Sequence, residues 1–197
     1  METNTRIADH PIDDIFLNRW SPRAFTAEEI PEADLFTMLE AARWAPSSFN
    51  AQPWRFIYSR RDTPSWLTLL GLLVPFNQSW ANDASALVFF VSKRTTRAHG
   101  AEEDSPSYTH SLDTGAASAL FALQANSMGW FVHGMSGFDV ERAHDELRVP
   151  ADYRVEAAFA VGRIAGKEKL PEFLQERETP SGRIPLRELA FEGAMRL

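Results

Sequence analysis

Apolar residues recur along this chain at two spacings, and segments of the two kinds alternate from one end to the other. Apolar positions three or four residues apart predict helices, because such positions share one helical face. Helices are predicted in this way over residues 9–18, 35–42, 65–73, 112–123 and 139–147. Alternating or continuous apolar runs predict strands over residues 54–59, 86–92, 130–133 and 155–164. The pattern therefore predicts a domain that mixes helices and strands.

Residues with special backbone preferences mark the ends of these helices. Asp9 is the predicted N-cap of the first helix, and Asp139 is the predicted N-cap of the fifth. Pro46 is expected to stop the second helix, and Gly129 is expected to end the long fourth one. The positions of these capping and helix-breaking residues thus agree with the apolar spacing on where helices begin and end.

Two long segments carry neither spacing. Residues 93–108 are rich in charge, serine, proline and glycine, which predicts a mobile surface loop that acts as a lid. Residues 165–197 are charged and contain three prolines, which predicts an extended tail on the surface of a partner subunit. A chain of 197 residues fits one domain better than two, so residues 1–197 are expected to form a single domain.

Composition and charge narrow the classes of function. The formal net charge of −7 argues against binding to nucleic acid or to an anionic membrane. The absence of cysteine excludes disulfides, thiolate nucleophiles and iron–sulfur clusters. The first residues lack the order of a secretory signal, and no apolar run reaches the roughly 18 residues of a membrane span. We therefore expect a cytoplasmic protein.

The segment RWSPRAF is the first candidate for chemistry. Pro22 disfavours a helix here, and an extended backbone places Arg19, Ser21 and Arg23 on one side. Two guanidinium groups and a hydroxyl are suited to a phosphate monoester, because they donate several charge-assisted hydrogen bonds. A solvated basic surface beside a helix end is the alternative explanation.

The segment APSSFNAQPW is the second candidate. It places two serines, Asn50 and Gln52 between a predicted helix and a predicted strand. Hydroxyl and amide groups offer both donors and acceptors, which suits the polar edge of a heterocyclic ligand. Taken alone, the segment could equally be a turn bounded by Pro46 and Pro53.

Together the two segments resemble the nitroreductase family, whose members typically carry an RxSxR-like phosphate motif followed by a helix that ends in APSSxNxQPW. Three later segments extend the resemblance over most of the chain, namely FNQSW, GWFVHGMSGFD and LPEFLQERETPSGRIPL. Trp80 stands where several members have a lysine near the flavin, and Ser181 stands where some have a lysine in the tail. The resemblance implies an α+β three-layer sandwich, with a central and mostly antiparallel sheet flanked by helices.

The resemblance also implies a homodimer with FMN at its interface, where the SSxN segment reaches the flavin of the other subunit. The implied FMN contacts are Arg19, Ser21, Arg23, Pro46, Ser47, Ser48, Asn50, Asn77, Met135, Gly137 and Arg183. No amino acid is expected to act as the catalyst itself, because flavin N5 carries the hydride. The candidate contacts for the substrate are Phe49, Tyr108 and His110.

The function implied is a ping-pong transfer of electrons from NADH or NADPH to an electron-poor acceptor such as a nitroaromatic or a quinone. A specialised flavin-dependent reductase or dehalogenase on the same fold is one alternative. A flavin or tetrapyrrole binding protein without catalysis is another, because function depends on the site and not on the fold.

Motifs of other enzyme classes do not occur in the sequence. It has no GxGxxG or GxxxxGK[ST] phosphate loop, and in HGMSG two residues separate the glycines where a nucleophile elbow needs three. The five histidines show no spacing typical of a metal site, so no metal is predicted.

Overall fold

The computed structural model describes residues 5–97 and 99–196, and an antiparallel sheet lies at its centre. In chain order the strands are β1 (Trp54–Arg60), β2 (Ala86–Lys93), β3 (Thr95–Thr96), β4 (Ser105–Pro106), β5 (Phe131–Met135) and β6 (Tyr153–Gly162). The central sheet has the order β1-β2-β6-β5, and each neighbouring pair is antiparallel. β3 and β4 pair with each other as a separate hairpin.

Seven α-helices surround the sheet within the described residues. They are α1 (Asp14–Asn18), α2 (Glu32–Arg43), α3 (Trp66–Gly71), α4 (Pro75–Ala81), α5 (His110–Ser127), α6 (Val140–Glu146) and α7 (Glu172–Gln175). Short 3-10 helices occupy Ser48–Asn50, Lys167–Lys169 and Leu186–Glu188.

The two faces of the sheet carry two separate apolar cores. Side chains of a strand alternate between faces, so Val88 and Phe90 pack with α2 and α5 while Leu87 and Phe89 pack with α3, α4 and α6. We call these the α2/α5 face and the α3/α4 face. Both cores are closed by fully buried aromatic rings, such as Phe121 on the first face. The predicted α+β three-layer sandwich with an antiparallel sheet is confirmed.

Three predictions about local structure were wrong in detail. The first helix begins at Asp14 and not near Asp9, because the Asp13 side chain accepts the Ile15 N–H and caps it there. Asp9 instead accepts the backbone N–H of Leu186 from the tail, at 2.7 Å. The segment PFNQSWA forms a helix of its own, α4, which the sequence reasoning did not identify.

The segment 93–108 is the third difference, since it contains the β3–β4 hairpin where an irregular loop was predicted. Asp104 accepts hydrogen bonds from Lys93 at 2.6 Å and from Arg97 at 2.8 Å, and so ties the two arms together. These two cations hold the pKa of the Asp104 carboxyl down at about 2. The hairpin is therefore an ordered element held by the pairing of β3 with β4 and by the contacts of Asp104, and its role as a lid stays a prediction.

The C-terminal segment packs in part on the chain's own core. Leu170 and Leu174 are buried on the α3/α4 face, and Pro171 precedes the first residue of α7 as its N-cap. Beyond Glu178 the tail returns to the N-terminal region through the Asp9–Leu186 hydrogen bond. Contact of this tail with a partner subunit stays a prediction. No helix within the described residues has the length and apolarity to cross a membrane.

Candidate functional site

The segment from Arg19 to Thr26 runs extended from the end of α1 to the edge of the sheet. Arg19 ends α1 with an extended φ of −71° and ψ of 119°, and Phe25 forms a bridge with Ile164 just after β6. Ala165 donates its N–H to the Ala24 carbonyl at 2.9 Å. The extended conformation predicted from Pro22 is confirmed, and it holds this segment, which we call the arginine segment, against the sheet end.

Side chains from three distant parts of the chain satisfy the backbone of the arginine segment. Glu178 Oε1 accepts the N–H groups of Arg23 at 2.6 Å and of Ala24 at 2.8 Å. His133 Nδ1 lies 2.9 Å from the Pro22 carbonyl, so it must donate, since a carbonyl can only accept. Arg6 donates to the Arg19 carbonyl at 2.7 Å. The backbone is thus held from outside, and the side chains of Arg19, Ser21 and Arg23 are left to meet a ligand.

Three guanidinium groups gather at the start of this segment. Burial and the nearby Arg183 lower the pKa of Arg19, and burial, Arg183 and Arg19 together lower the pKa of Arg6. Ser21 Oγ lies 3.4 Å from Arg19 Nη1. Because like charges repel, such a cluster gains most when an anion with several oxygens enters it. Arg19 and Arg183, both predicted phosphate contacts, therefore lie close enough to repel each other, and their contact with a phosphate stays a prediction.

Arg23 lies beside a buried aromatic pair. Its guanidinium carbon is 6.0 Å from the centre of the Trp80 ring, and the Trp80 and His133 rings are 4.7 Å apart. Arg23 Nε and Trp80 Nε1 are buried donors without a hydrogen-bond partner among residues 5–97 and 99–196. Burial, partly offset by the hydrogen bond to Pro22, lowers the pKa of His133 to about 4. His133 is therefore neutral at pH 7, which is also the form that donates from Nδ1 and adds no positive charge beside Arg23.

Asn77, Met135 and Gly137 meet on the α3/α4 face. Asn77 in α4 is buried and donates from Nδ2 to the Gly137 carbonyl at 2.9 Å. A methyl group added at Gly137 would lie 2.6 Å from that same nitrogen, so the close approach requires glycine. Met135 is buried in the adjacent core. These three predicted residues form one compact group, fixed by the α4 helix that the sequence reasoning missed.

The Ser47–Gln52 loop is strained and exposed. Phe49, Asn50 and Gln52 all have positive φ, between 48° and 54°, in a region that costs L-residues other than asparagine roughly 1–2 kcal/mol. The loop is stabilised from two sides, because Ser47 Oγ accepts the Gln52 N–H at 3.0 Å and Asp113 accepts the Ser48 N–H at 3.2 Å. Phe49 is fully exposed at the tip. The loop therefore presents its side chains outward.

Tyr108 and His110 stand near the start of α5 but in different surroundings. Tyr108 is fully exposed. His110 belongs to a polar cluster in which Ser92 Oγ lies 2.8 Å from His110 Nδ1 and donates to Glu156 at 2.5 Å. Ser111 donates to the same carboxylate oxygen at 2.6 Å. His110 thus takes part in hydrogen bonds that join β2, α5 and β6, which makes it a weaker substrate candidate than Tyr108.

The predicted site residues divide between the two faces of the sheet. Arg23, Asn77, Met135 and Gly137 lie on the α3/α4 face, where Trp80 and Ala24 belong to the core. The Pro46–Asn50 stretch follows α2 and is tied to α5, so it lies on the α2/α5 face. The two groups of predicted site residues therefore lie on opposite faces of the sheet within one chain.

Two residues of this arrangement were not found by sequence reasoning. Arg6 and Glu178 hold the arginine segment from 13 and 155 residues away. Arg6 lies outside the quoted motifs, and Glu178 lies within the tail segment 170–186 but was not singled out there, because nothing in its spacing marks it as a contact of Arg23. The contact depends on how the tail packs, and that is visible only in the fold.

Known proteins resemble this chain along its whole length. A crystal structure described as an oxidoreductase containing FMN is 44% identical, covers 100% of this chain and 98% of its own, and superposes with a TM-score of 0.95. A putative nitroreductase from Desulfovibrio desulfuricans in complex with FMN shares the fold, with a TM-score of 0.71, 24% identity and coverage of 96% and 100%.

A curated relative from Mycolicibacterium smegmatis, an uncharacterized 15.4 kDa protein, is 34% identical over 148 residues. The aligned region covers 71% of this chain and 95% of the relative. Residues 17–64 and 63–163 match the nitroreductase family, and these ranges include the arginine segment, the strained loop and the Asn77–Gly137 group. The chain belongs to the nitroreductase family.

Proposed function

We propose that this protein is an FMN-dependent oxidoreductase that passes electrons from NADH or NADPH to an electron-poor small molecule. One observation carries the proposal: an acidic chain gathers Arg6, Arg19 and Arg183 around Ser21 at the start of a segment whose backbone is already satisfied. Such a cluster is suited to the terminal phosphate of FMN. The FMN-containing relative that is 44% identical supports the same ligand.

Arg23 is proposed to complete the phosphate site, and the other predicted contacts suit the rest of that ligand. Trp80 Nε1, like Arg23 Nε, is a buried donor that has no partner elsewhere in the described chain, and the Trp80 ring lies 6.0 Å from the Arg23 guanidinium carbon. The hydrogen bond to the Gly137 carbonyl fixes the amide of Asn77, which we propose contacts the flavin. When bound, FMN supplies the redox chemistry, because its ring accepts a hydride and passes electrons on. The protein binds and orients it.

We further infer that the working unit is a homodimer with the cofactor at its interface. The loop from Ser47 to Asn50 and the group around Asn77 lie on opposite faces of one sheet, so a second copy is needed to bring them to one ligand. Four large apolar side chains near that loop are exposed, at 72–101% of full accessibility, and they are Trp44, Phe49, Tyr108 and Leu112. Ile184 and Leu189 in the tail are also exposed, which suits a tail that packs on the partner.

The reaction needs two substrates that use one site in turn, which is a ping-pong scheme. Phe49 and Tyr108 are positioned to contact the substrate from the loop and from the start of α5, both being fully exposed in the single chain. Neutral His133 and the buried Trp80 make the region beside Arg23 apolar, which excludes water from the ligand's inner side. Electron-poor planar acceptors such as quinones and nitroaromatics are suited to such surfaces.

The visible spectrum of the purified protein tests the proposal. We expect flavin absorption that bleaches when NADH or NADPH is added without oxygen, and that returns when a quinone follows. Initial rates at several fixed quinone concentrations should give parallel double-reciprocal lines. A colourless protein that also fails to bind added FMN would refute the proposal. Bound flavin without turnover on any acceptor would favour a binding protein instead.

A further inference from the structure

The tail reaches the proposed phosphate site through one carboxylate. Glu178 follows α7, and α7 is anchored in the α3/α4 core by Leu174, which is fully buried. A backbone hydrogen bond from Glu178 to Gln175 continues the turn and aims the side chain back at the sheet end. Glu178 is therefore fixed by the packing of the tail and not by its neighbours in sequence.

The carboxylate of Glu178 makes an asymmetric contact. Oε1 accepts both the Arg23 and the Ala24 backbone N–H, at 2.6 and 2.8 Å, while Oε2 is buried without a partner among the described residues. Burying a charged oxygen unpaired is unfavourable, so packing the tail does not by itself account for this residue. A carboxylate is, however, a stronger acceptor than a neutral group, and it fixes two successive N–H groups in one direction.

We infer that Glu178 is a positioning residue that sets the direction of the Arg23 side chain, and so makes the preference for FMN over riboflavin depend on the tail. Fixing two successive N–H groups fixes the peptide planes on both sides of the Arg23 Cα atom, and so fixes the direction in which the Arg23 side chain leaves the backbone. Arg23 itself has no hydrogen-bond partner at Nε within residues 5–97 and 99–196, so its own side chain does not hold it. The inference rests on the proposed function.

The expected signature is a loss that depends on the phosphate. FMN and riboflavin differ only in that phosphate, so their dissociation constants, measured by quenching of flavin fluorescence, isolate its contribution. We expect Glu178→Ala to weaken FMN binding roughly tenfold and to leave riboflavin binding unchanged. Glu178→Gln keeps an oxygen that accepts both N–H groups, so it should weaken FMN binding by no more than roughly threefold. Glu176→Ala removes an exposed carboxylate two residues earlier and serves as the control.

Other outcomes overturn the inference in distinguishable ways. An Ala variant with the wild-type ratio of FMN to riboflavin affinity, or with equal loss of both, would show that Glu178 does not act on the phosphate. If Glu178→Gln weakens FMN binding as much as Glu178→Ala does, the negative charge acts and not the acceptor geometry. If either variant binds FMN more tightly than the wild type, Glu178 repels the phosphate. Either result refutes the positioning role. A wild-type chain that binds both flavins equally would refute the proposed phosphate site and, with it, this inference.

Folding is not expected to obscure the result. Glu178 lines a cleft together with Trp20 and Phe131, so truncation at 178 enlarges an open space and leaves no closed cavity. If the Ala variant nonetheless does not fold, Glu178→Asp decides. That change shortens the side chain by one methylene, and the ratio of FMN to riboflavin affinity should fall by roughly threefold. An Asp variant with the wild-type ratio would then overturn the inference.

Discussion

The arginine segment and the Ser47–Gln52 loop are both short, irregular and rich in polar groups, yet they are held in opposite ways. The backbone of the arginine segment is held by hydrogen bonds to Glu178, to His133 and to the residues that follow β6. The loop carries three positive φ angles and an exposed Phe49, and is tied down mainly through Asp113 and Ser47. The backbone of the arginine segment is thus ordered by contacts within one chain, whereas the loop leaves its side chains exposed, as the proposed dimer requires.

This difference indicates how the two regions would share the work of binding. A region that is already ordered loses little entropy when a ligand arrives, so it contributes affinity. The environment of a strained and exposed loop changes when a partner chain or a substrate covers it. We therefore expect the loop to affect substrate selectivity and dimer formation. Four substitutions or conditions should separate these roles.

Acid should loosen the arginine segment most. Because the pKa of His133 in the fold is about 4 and lies below its ordinary value of 6.5, the unfolded chain takes up a proton first as the pH falls. The stability from neutral His133 is thus complete above pH 6.5 and is lost between pH 6.5 and pH 4, by about 3 kcal/mol. Urea unfolding of the wild type and of His133→Gln across this range measures it. Parallel pH profiles for the two proteins would contradict this assignment.

Removing a charge from the arginine segment should weaken the cofactor nearly as much. We expect Arg23→Ala to weaken the binding free energy of FMN by about 1.5–3 kcal/mol, because it deletes charge-assisted hydrogen bonds. Fluorescence titration of the refolded apoprotein measures this. Arg43→Ala is the control, since Arg43 is exposed on α2 and pairs with Glu40. Equal affinities for the two variants would remove Arg23 from the site.

The loop should respond to a different assay. Phe49→Ala should leave the unfolding free energy of the diluted monomer within about 0.5 kcal/mol, because the ring is fully exposed. It should weaken the dimer by about 1.5–2 kcal/mol if each ring is buried by the partner. Sedimentation across a dilution series compares it with Leu67→Ala, which removes another exposed apolar side chain, from α3. A monomeric wild type would refute the shared site directly.

The smallest effect should have opposite signs with and without ligand. Arg183 lowers the pKa of both Arg6 and Arg19, so Arg183→Ala relieves repulsion in the empty site. We expect a change in apoprotein stability of less than about 0.5 kcal/mol, in the stabilising direction. FMN affinity should instead fall by roughly two- to fivefold, as for an exposed charge pair. Thermal unfolding with and without FMN shows both, and a loss of stability in the apoprotein would contradict the repulsion.

The sequence predicts the architecture well wherever local rules act alone. Asp139 caps α6 as expected, and Gly129 ends α5 with a φ of 75°. The buried run ALVFFVS became the central strand β2, because a segment apolar on both sides must lie between two layers. The extended arginine motif and the polar turn are likewise local features and are seen in the structure, whereas their contact with FMN stays a prediction.

Prediction from sequence is weaker wherever a distant contact competes with a local one. Asp9 was expected to cap α1, but the Leu186 N–H occupies its carboxylate and Asp13 takes the cap. The helix predicted over residues 65–73 ends early because Leu73 bridges to Phe138 and Pro75 begins α4. Glu178 meets Arg23 across 155 residues, a separation that leaves no periodic signal. The tail therefore contributes what the motifs alone do not reveal.

The β3–β4 hairpin has a consequence for engineering. Its two arms are joined by the pairing of β3 with β4 and by the contacts of Asp104, and its backbone meets the domain at Arg94, which donates its N–H to the Asp152 carbonyl. Because none of its residues belongs to either apolar core, the segment between Arg94 and Ser107 can be exchanged for another hairpin while both cores keep their packing. Grafting different hairpins there therefore tests directly whether this segment affects substrate preference.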